Sequence, residues 1–361
     1  MGLPLVAFLG TTTHMRLPEL DKPIIGITMG DPAGVGPEVI VKALADPHVR
    51  KRARYVVYGL NELLAYAADL AELDVFWWRD QHERVDRSYP QSVVVADYDE
   101  IPWLGGNVLK KPSQQGGEAS MKFLNDAIEH AKKGQIDALV TAPICKESWQ
   151  LAGYRYPGHT ELLKDRTRAK EVAMMFVGGP FRIVLATIHE ALFELRHRFT
   201  IGRVFTPIDL ANDALRQYFN IEKPRIAVAA LNPHASEHGQ FGDEEQRIIA
   251  PAILMAQEAG INVEGPFPAD TLFHQALNGK WDIIVAMYHD QGLIPLKMLA
   301  FDSAVNVTIG LPIIRTSPDH GTAFDIVGRN AANPQSMKAA LLTAADMLQH
   351  RQIQKNNLKH R

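Results

Sequence analysis

The sequence predicts an α/β protein built around a largely parallel sheet. Short apolar runs such as 23–29 and 55–60 are typical of buried strands, and segments with apolar residues at helical spacing, such as 61–71 and 116–133, alternate with them. Alternation of this kind favours parallel strands, because each parallel connection needs a crossover that a helix supplies. We therefore expect most strands to share one direction.

Three of the apolar runs lead directly into a histidine. Residues 181–188 precede His189, 225–231 lead through Asn232-Pro233 into His234, and 281–288 precede His289. In an open α/β sheet the ligand crevice lies beyond the carboxyl ends of the strands, so three such imidazoles can converge. Three neutral imidazoles with a free position commonly hold a catalytic divalent metal. The alternative is that each histidine is a hydrogen-bonded loop residue.

The first strand, 23–29, is followed by the glycine-rich turn 30–36 and a helix over 39–44. A glycine-rich turn with proline at a first helical position can bind an anion. It lacks the Gly-Lys-Ser/Thr ending of a P-loop, and its glycine spacing differs from that of the dinucleotide fingerprint. A tight strand-to-helix turn explains it equally well.

Further strands are predicted over 55–60, 75–78, 92–96 and 136–141, with helices over 61–71 and 116–133. Lys146 follows the last of these strands, and we interpret it as a solvated lysine. At the next helix start, Gly158-His159-Thr160-Glu161 either presents His159, Thr160 and free amides to an anion or is capped by Thr160.

In the second half, helices are predicted over 208–219, 244–259 and 335–348, with Asp243 capping the second. Another helix begins within 268–273, where Asp270 is interpreted as a cap, with a site role as the alternative. Asn306 in an apolar run and Arg315 after two isoleucines are unusual core residues, which indicates a polar crevice. Lys297 and Arg315 are suited to hold a phosphate or carboxylate.

Composition excludes several classes of protein. A formal net charge of -3 gives no broad basic surface, so nucleic acid is not an expected partner, and no apolar run has the length of a membrane span. The single cysteine, Cys145, excludes an intrachain disulfide and fits a reducing cytoplasm. We expect the fold to begin near Lys22, after an N-terminal extension over 1–22.

Five motifs occur in order along the chain: Gly30-Asp31-Pro32-Ala33-Gly34-Val35-Gly36-Pro37-Glu38, Tyr156-Pro157-Gly158-His159-Thr160-Glu161, Asn232-Pro233-His234-Ala235, Met287-Tyr288-His289-Asp290-Gln291-Gly292 and Arg315-Thr316-Ser317-Pro318-Asp319-His320-Gly321-Thr322-Ala323. Together they resemble the 4-hydroxythreonine-4-phosphate dehydrogenase family of pyridoxal phosphate biosynthesis. The resemblance covers about residues 23–350.

This resemblance implies an isocitrate/isopropylmalate dehydrogenase-like fold, with two α/β/α lobes and a cleft between them. Residues 23–150 with 306–361 would form the first lobe, and 151–305 the second, which carries the metal histidines and dimer contacts. The family is homodimeric, with its sites at the subunit interface.

The resemblance also implies the site residues. The metal ligands would be His189, His234 and His289, one of them from the other subunit. The substrate-binding residues would be His159, Thr160, Lys297, Asn306 and Arg315. Lys297 could also take the hydroxyl proton. The NAD loop would contain His320, Gly321, Thr322 and Asp325.

The implied reaction is the NAD(P)- and metal-dependent oxidation of 4-phosphooxy-L-threonine at its 3-hydroxyl, followed by decarboxylation to 3-amino-2-oxopropyl phosphate. The metal would act as a Lewis acid on the hydroxyl oxygen, and the cofactor would take the hydride. Three imidazoles with an oxygen-rich substrate favour zinc, with cobalt or magnesium as alternatives. The choice between NAD and NADP stays open.

Two departures from the family pattern keep other functions open. Glu190-Ala191-Leu192 follows His189 where several members have Leu-Pro-Leu, and Ser236 stands where glycine is common. A paralogue acting on D-threonate or D-erythronate 4-phosphate is one alternative. A non-catalytic phosphometabolite-binding protein is another.

Overall fold

The computed structural model describes residues 22–102 and 110–359, so the predicted extension lies outside the described residues up to position 21. Within the described chain, twelve strands form one sheet in the order β3-β4-β2-β1-β5-β12-β11-β6-β7-β10-β8-β9. The strands are β1 Ile24–Thr28, β2 Arg54–Gly59, β3 Trp78–Gln81, β4 Val93–Asp97, β5 Ala138–Thr141, β6 Ala173–Gly178, β7 Phe181–Leu185, β8 Ile226–Ala229, β9 Val263–Phe267, β10 Ile283–Ala286, β11 Val305–Ile309 and β12 Ile314–Pro318.

Helices cover the sheet. They are α1 Gly36–Leu44, α2 Pro47–Arg52, α3 Asn61–Leu70, α4 Gln114–Lys132, α5 Lys146–Leu151, α6 His159–Thr167, α7 Leu195–Arg198, α8 Ile201–Tyr218, α9 Ala250–Glu258, α10 Ala269–Leu277, α11 His289–Ala300 and α12 Gln335–Lys359. Among the described residues, no helix is both long and apolar enough to span a bilayer.

The sheet is parallel except at its centre, where β11 pairs antiparallel with β12 and β6, and β6 pairs antiparallel with β7. The predicted α/β class with a largely parallel sheet is therefore confirmed. Because the sheet is continuous, a boundary between the two predicted lobes would fall inside it, and the division into lobes stays a prediction.

Some predicted elements differ in detail. The strand predicted over 75–78 begins at Trp78, because Val75 is exposed and lies before the edge pairing with β4. Asp243 directly precedes the first helical residue, Glu244, but its carboxylate accepts from Arg247 Nε at 3.2 Å instead of capping a backbone N–H; a π-helical turn, Glu245–Ile249, then continues into α9. β6 and β9 were not predicted. The last helix runs to Lys359 instead of ending at 348.

The three strands that lead into histidines are neighbours in the sheet. β10 lies between β7 and β8 and is parallel to both, with Val285 opposite Val184 on one side and Val228 on the other. Their carboxyl ends therefore lie along the same sheet edge. This confirms the strand arrangement on which the convergence of the histidines depends.

The glycine-rich turn after β1 holds an internal carboxylate instead of open amides. The Asp31 side chain is fully buried, and its oxygens accept hydrogen bonds from Ser148 Oγ at 2.6 Å and from Ala33 N at 3.0 Å. Gly30 has φ +75°, and a Cβ there would lie 2.1 Å from the Pro143 carbonyl oxygen, so the turn requires glycine. The turn thereby fixes the segment 142–148 against β1.

Burial raises the pKa of Asp31 above its ordinary value of 3.8. A raised folded-state pKa contributes stability that is full below the unfolded-state pKa and is lost as pH rises through the folded-state pKa. The Asp31→Asn variant cannot ionise at this position. We predict that the unfolding free energy of the wild type minus that of Asp31→Asn falls as pH rises above about 4, the unfolded-state pKa of aspartate, measured by urea titration.

Asp46→Asn is the matched control, because hydrogen bonds from His48 N and Lys338 lower the pKa of this exposed carboxyl. Its difference from the wild type should rise with pH only below about pH 4, the unfolded-state pKa, and should stay level at higher pH, where the Asp31→Asn difference falls. A flat difference for Asp31→Asn would contradict the role of burial.

Candidate active site

A cavity of about 430 Å³ opens at the carboxyl ends of the strands. The predicted substrate-binding residues that line it are His159, Thr160, Lys297, Asn306 and Arg315. It is also lined by His189 and His289 from the predicted metal set and by His320 and Gly321 from the predicted cofactor loop. His234, Thr322 and Asp325 do not line it.

Arg315 brings an uncompensated positive charge into this cavity. Its side chain is 3% exposed and donates to Thr308 Oγ1 at 3.0 Å and Thr141 Oγ1 at 2.7 Å, while its Nε has no partner. Burial lowers its pKa to about 9. Since both partners are neutral hydroxyls, an anionic ligand would supply the missing counter-charge.

His159 lies next to this guanidinium. Burial holds the pKa of its imidazole well below the ordinary value, and the positive charges of Arg315 and Lys146 lower it further. The ring packs edge-on against Trp149, and its Nε2 has no hydrogen-bond partner. A neutral imidazole with a free Nε2 is available to bind a ligand.

The beginning of α6 adds unpaired backbone donors. Gly158 is the N-cap residue, and no side chain caps the helix. The alternative in which Thr160 caps the helix is therefore wrong, because Thr160 lies within the first turn. Uncapped amides together with the helix dipole favour an anion at this end of the cavity.

His189 and His289 form a pair in the same cavity. Their ring centroids are 6.3 Å apart. Burial, followed by the charge of Lys146, lowers the pKa of His189, so its imidazole is neutral and suited to ligate a metal. His289 Nδ1 lies 2.7 Å from Asp290 Oδ1, an arrangement that orients the ring and leaves Nε2 free.

His234 is separate from this pair. It is exposed, lies 6.3 Å in ring-centroid distance from Phe241, and begins five successive residues with left-handed backbone angles. In the described part of the chain, no three His, Cys, Asp or Glu side chains are grouped to hold a metal. One chain therefore does not gather all three predicted ligands.

Lys297 and Asn306 supply further polar groups. Lys297 Nζ forms an ion pair with Asp319 Oδ2 at 2.9 Å, and Asn306 Oδ1 is buried without a partner. Asn306 is in β11, opposite Phe176 of β6, at the centre of the sheet. An orphaned amide oxygen beside a cavity is a candidate acceptor for a ligand hydroxyl or amine.

The predicted cofactor loop contacts two parts of the structure: His320 and Gly321 line the cavity, and Thr322 contacts the turn before α1. His320 Nε2 is buried without a partner. The Thr322 carbonyl accepts from Val35 N at 2.9 Å, which fixes the loop against the turn before α1. Asp325 belongs to a short 3-10 turn, Phe324–Ile326. A smaller, mainly apolar cavity beside this loop is lined by Gly34, Tyr66 and Val327, among others.

Sequence reasoning missed two charged groups and one hydroxyl in the site: Lys146, Asp319 and Thr141. Lys146 was interpreted as a solvated residue, and it is indeed exposed, but it also lines the cavity. Its position after the carboxyl end of β5 is the signal that could have identified it.

The cavity thus combines an anion-binding side with a pair of neutral imidazoles. The free Nε2 of His159, the unpaired Nε of Arg315 and the uncapped start of α6 fit a phosphate or carboxylate. The His189–His289 pair fits a divalent metal that completes its coordination elsewhere. Such a site can orient an anionic substrate with one oxygen next to a cation.

The chain matches the family described as Pyridoxal phosphate biosynthetic protein PdxA over residues 51–344. It is 47% identical over 334 residues to a 4-hydroxythreonine-4-phosphate dehydrogenase from Geobacter metallireducens, covering 90% of this chain and 96% of that protein. It is also 42% identical over 325 residues to a D-threonate 4-phosphate dehydrogenase from Salmonella typhimurium, covering 90% and 98%.

A crystal structure of 4-hydroxythreonine-4-phosphate dehydrogenase from Klebsiella pneumoniae superposes with a TM-score of 0.81 at 39% identity, covering 91% of this chain and 99% of that chain. The predicted fold is confirmed by this overlap.

We predict that Arg315→Met raises the unfolding free energy by about 1 kcal/mol without ligand, because the side chain fills similar volume without an unpaired buried charge. The same variant should lose the rise in Tm that inorganic phosphate gives the wild type. Differential scanning calorimetry with and without phosphate measures both effects.

Arg182→Met is the matched control, because Arg182 also has an unpaired Nε and is half-buried, but it does not line the cavity. Its phosphate response should equal that of the wild type. A full phosphate response in Arg315→Met would contradict the anion-binding role.

Proposed function

The chain belongs to the pyridoxal phosphate biosynthetic PdxA family, and on this premise we propose that it oxidises 4-phosphooxy-L-threonine at the 3-hydroxyl with NAD(P) and a divalent metal. Decarboxylation of the resulting 3-keto acid then gives 3-amino-2-oxopropyl phosphate. The carrying observation is that one cavity contains both the uncompensated Arg315 guanidinium and the His189–His289 pair.

The anion-binding side of the cavity orients the substrate. Arg315 and the first turn of α6 bind an anionic group of the substrate, and His159 donates or accepts at Nε2. Lys297 keeps its ion pair with Asp319 and donates to a substrate oxygen, so the ion pair supports a binding role for Lys297 over that of a base. Fixed orientation of the C3 hydroxyl is the main contribution of these groups.

His189, His289 and His234 are the proposed metal ligands. A divalent metal held by them would act as a Lewis acid on the substrate oxygen, and zinc suits three imidazoles best, with cobalt or magnesium as alternatives. The neutral state of His189 and the Asp290 contact of His289 support this assignment.

His320, Gly321, Thr322 and Asp325 are the proposed cofactor loop. The buried, unpartnered Nε2 of His320 and the adjoining apolar cavity at Gly34 and Val327 support a nucleotide here. The nicotinamide ring of the cofactor supplies the hydride acceptor. The chain's part is to orient the ring and to limit access of water.

We infer a homodimer in which His234 of one chain completes the site of its partner. His234 is exposed and lies outside its own cavity. Apolar side chains are exposed on and just after α11, the helix that begins at His289: Ile294 is 59% exposed, Met298 80% and Phe301 72%. Because these residues follow helical spacing on one face, a second chain is the expected cover.

The single cysteine supports a cytoplasmic location.

D-threonate 4-phosphate is the second candidate substrate, because the Salmonella typhimurium relative carries that name at 42% identity. The two substrates differ in the group on C2, which is an amine in one and a hydroxyl in the other. Glu161 lines the cavity and offers a carboxylate to an ammonium group, which supports the amino substrate.

We predict NADH formation from 4-phosphooxy-L-threonine with added zinc or cobalt, at a kcat/KM at least about tenfold above that for D-threonate 4-phosphate, because one well-placed ion pair is worth roughly 1.4 kcal/mol or more. Absorbance of NADH measures both rates. A reversed preference would assign the chain to the second substrate.

His289→Ala tests the metal assignment in the same assay. Loss of this ligand should lower bound metal and reduce kcat by roughly 10³-fold. His274→Ala, at an exposed histidine on α10 outside the cavity, is the control and should retain both. Normal turnover in metal-free His289→Ala would refute the metal role.

We predict that the double variant Met298→Asp, Phe301→Asp is monomeric in analytical ultracentrifugation, because two carboxylates at a buried interface would be left without partners. Val75→Asp places a carboxylate at another exposed apolar residue, 59% exposed and outside α11. That control should sediment like the wild type, as a dimer. A dimeric double variant would exclude this surface as the interface.

A further inference from the structure

We propose that Thr187, Gln291 and Glu245 are positioning residues for the three histidine-bearing segments: Thr187 and Gln291 connect these segments, and Glu245 fixes the one that leads to His234. We call these three side chains the brace. The inference rests on the proposed metal site, and it concerns residues that lie outside the metal-ligand and substrate-binding sets. Each brace residue bonds to backbone beyond the carboxyl end of β10 or β8, where the regular sheet hydrogen bonds stop.

Thr187 connects the end of β7 to the end of β10. Its buried hydroxyl donates to the Met287 carbonyl oxygen at 2.7 Å. Thr187 is two residues before His189, and Met287 is two residues before His289. The last backbone bond between these strand ends runs from Ala186 N to Ala286 O at 2.8 Å. The hydroxyl therefore extends the pairing by one step toward both imidazoles.

Gln291 connects the end of β10 to the end of β8. Its Oε1 accepts from Met287 N at 2.7 Å, and its Nε2 donates to the Ala230 carbonyl oxygen at 2.7 Å. One amide thus satisfies a donor of one strand end and an acceptor of the next. A carboxylate could not make both bonds, because Ala230 O requires a donor.

Glu245 fixes the segment that leads from β8 to His234. Its Oε1 accepts from Leu231 N at 2.8 Å and Asn232 N at 2.7 Å, and its Oε2 accepts from Asn232 Nδ2 at 2.9 Å. The side chain is 2% exposed. Its carboxylate therefore binds backbone and amide donors of this segment.

The segment needs such a clamp because it is strained. His234 and the four residues after it have φ between 45° and 66°. L-residues in this region cost about 1–2 kcal/mol each, and such geometry persists only where surrounding contacts fix it. Glu245 holds the entry to this segment, and Gln291 holds its connection to the sheet.

The experiment measures Co²⁺ binding to the purified full chain by calorimetry and by the visible absorption of bound Co²⁺. Gln291→Met and Thr187→Val each remove brace bonds with similar side-chain volume. We expect Co²⁺ affinity to fall about 10–100-fold, with a changed absorption spectrum, as for other residues that orient metal ligands. Thr187→Ser retains the hydroxyl and should restore the wild-type spectrum.

Thr316→Val is the control for a merely structural effect. The Thr316 hydroxyl is also fully buried and donates to a backbone carbonyl, that of Ala340, at 2.9 Å. This variant should lose stability with an unchanged Co²⁺ spectrum.

The outcomes separate the two proposals. If the wild type fails to bind Co²⁺, the proposed metal site is wrong, and so is the proposed role of the brace. If the wild type binds and Gln291→Met and Thr187→Val bind with wild-type affinity and spectrum, the brace alone is wrong. Should Gln291→Met fail to fold, the Thr187→Val and Thr187→Ser pair decides the matter.

Discussion

The parallel alignment of β7, β10 and β8 is the constraint on which the site depends. Because neighbouring parallel strands end at the same edge, the residues after them begin within a few ångströms of one another. Side chains that cannot lie inside the sheet can therefore gather there without disturbing the core. The His189–His289 pair follows from this alignment, and so do the bonds from Thr187 and Gln291 that cross between strand ends.

The second property of the cavity is the uncompensated positive charge of Arg315. A guanidinium with two hydroxyl partners and no carboxylate is a costly group to bury, and its cost is recovered when an anion binds. The uncapped start of α6 and the unpartnered His159 Nε2 act in the same direction. Groups of this kind reduce the stability of the free protein, which is the usual trade-off at a site built for a ligand.

Much of this arrangement could be predicted from sequence, because buried strands have a strong local signal. Apolar runs ending in His189, His234 and His289 predicted three strands that are indeed neighbours. β6 was missed, and β3 was displaced because Val75 is apolar but exposed. Lys146 was interpreted as solvated although it follows the carboxyl end of β5, because the sequence does not show which strand ends border the cavity. These errors concern tertiary position, which short patterns do not encode.

The separation of His234 from the other two histidines has a different cause. Sequence pattern alone suggested that the three rings converge, and only the family resemblance implied a contribution from a second subunit. The left-handed geometry after Pro233 and the exposed apolar residues of α11 are visible only in three dimensions. The sequence pattern of a single chain thus does not predict which residues a second chain would contribute.

We have proposed that two chains share one metal site. Crystals of the full chain grown with Co²⁺, with anomalous diffraction measured at the cobalt edge, test it most directly. We expect an anomalous peak bounded by His189 and His289 of one chain and by His234 of its partner. A peak surrounded by all three histidines of a single chain, or a peak that touches none of them, would contradict it.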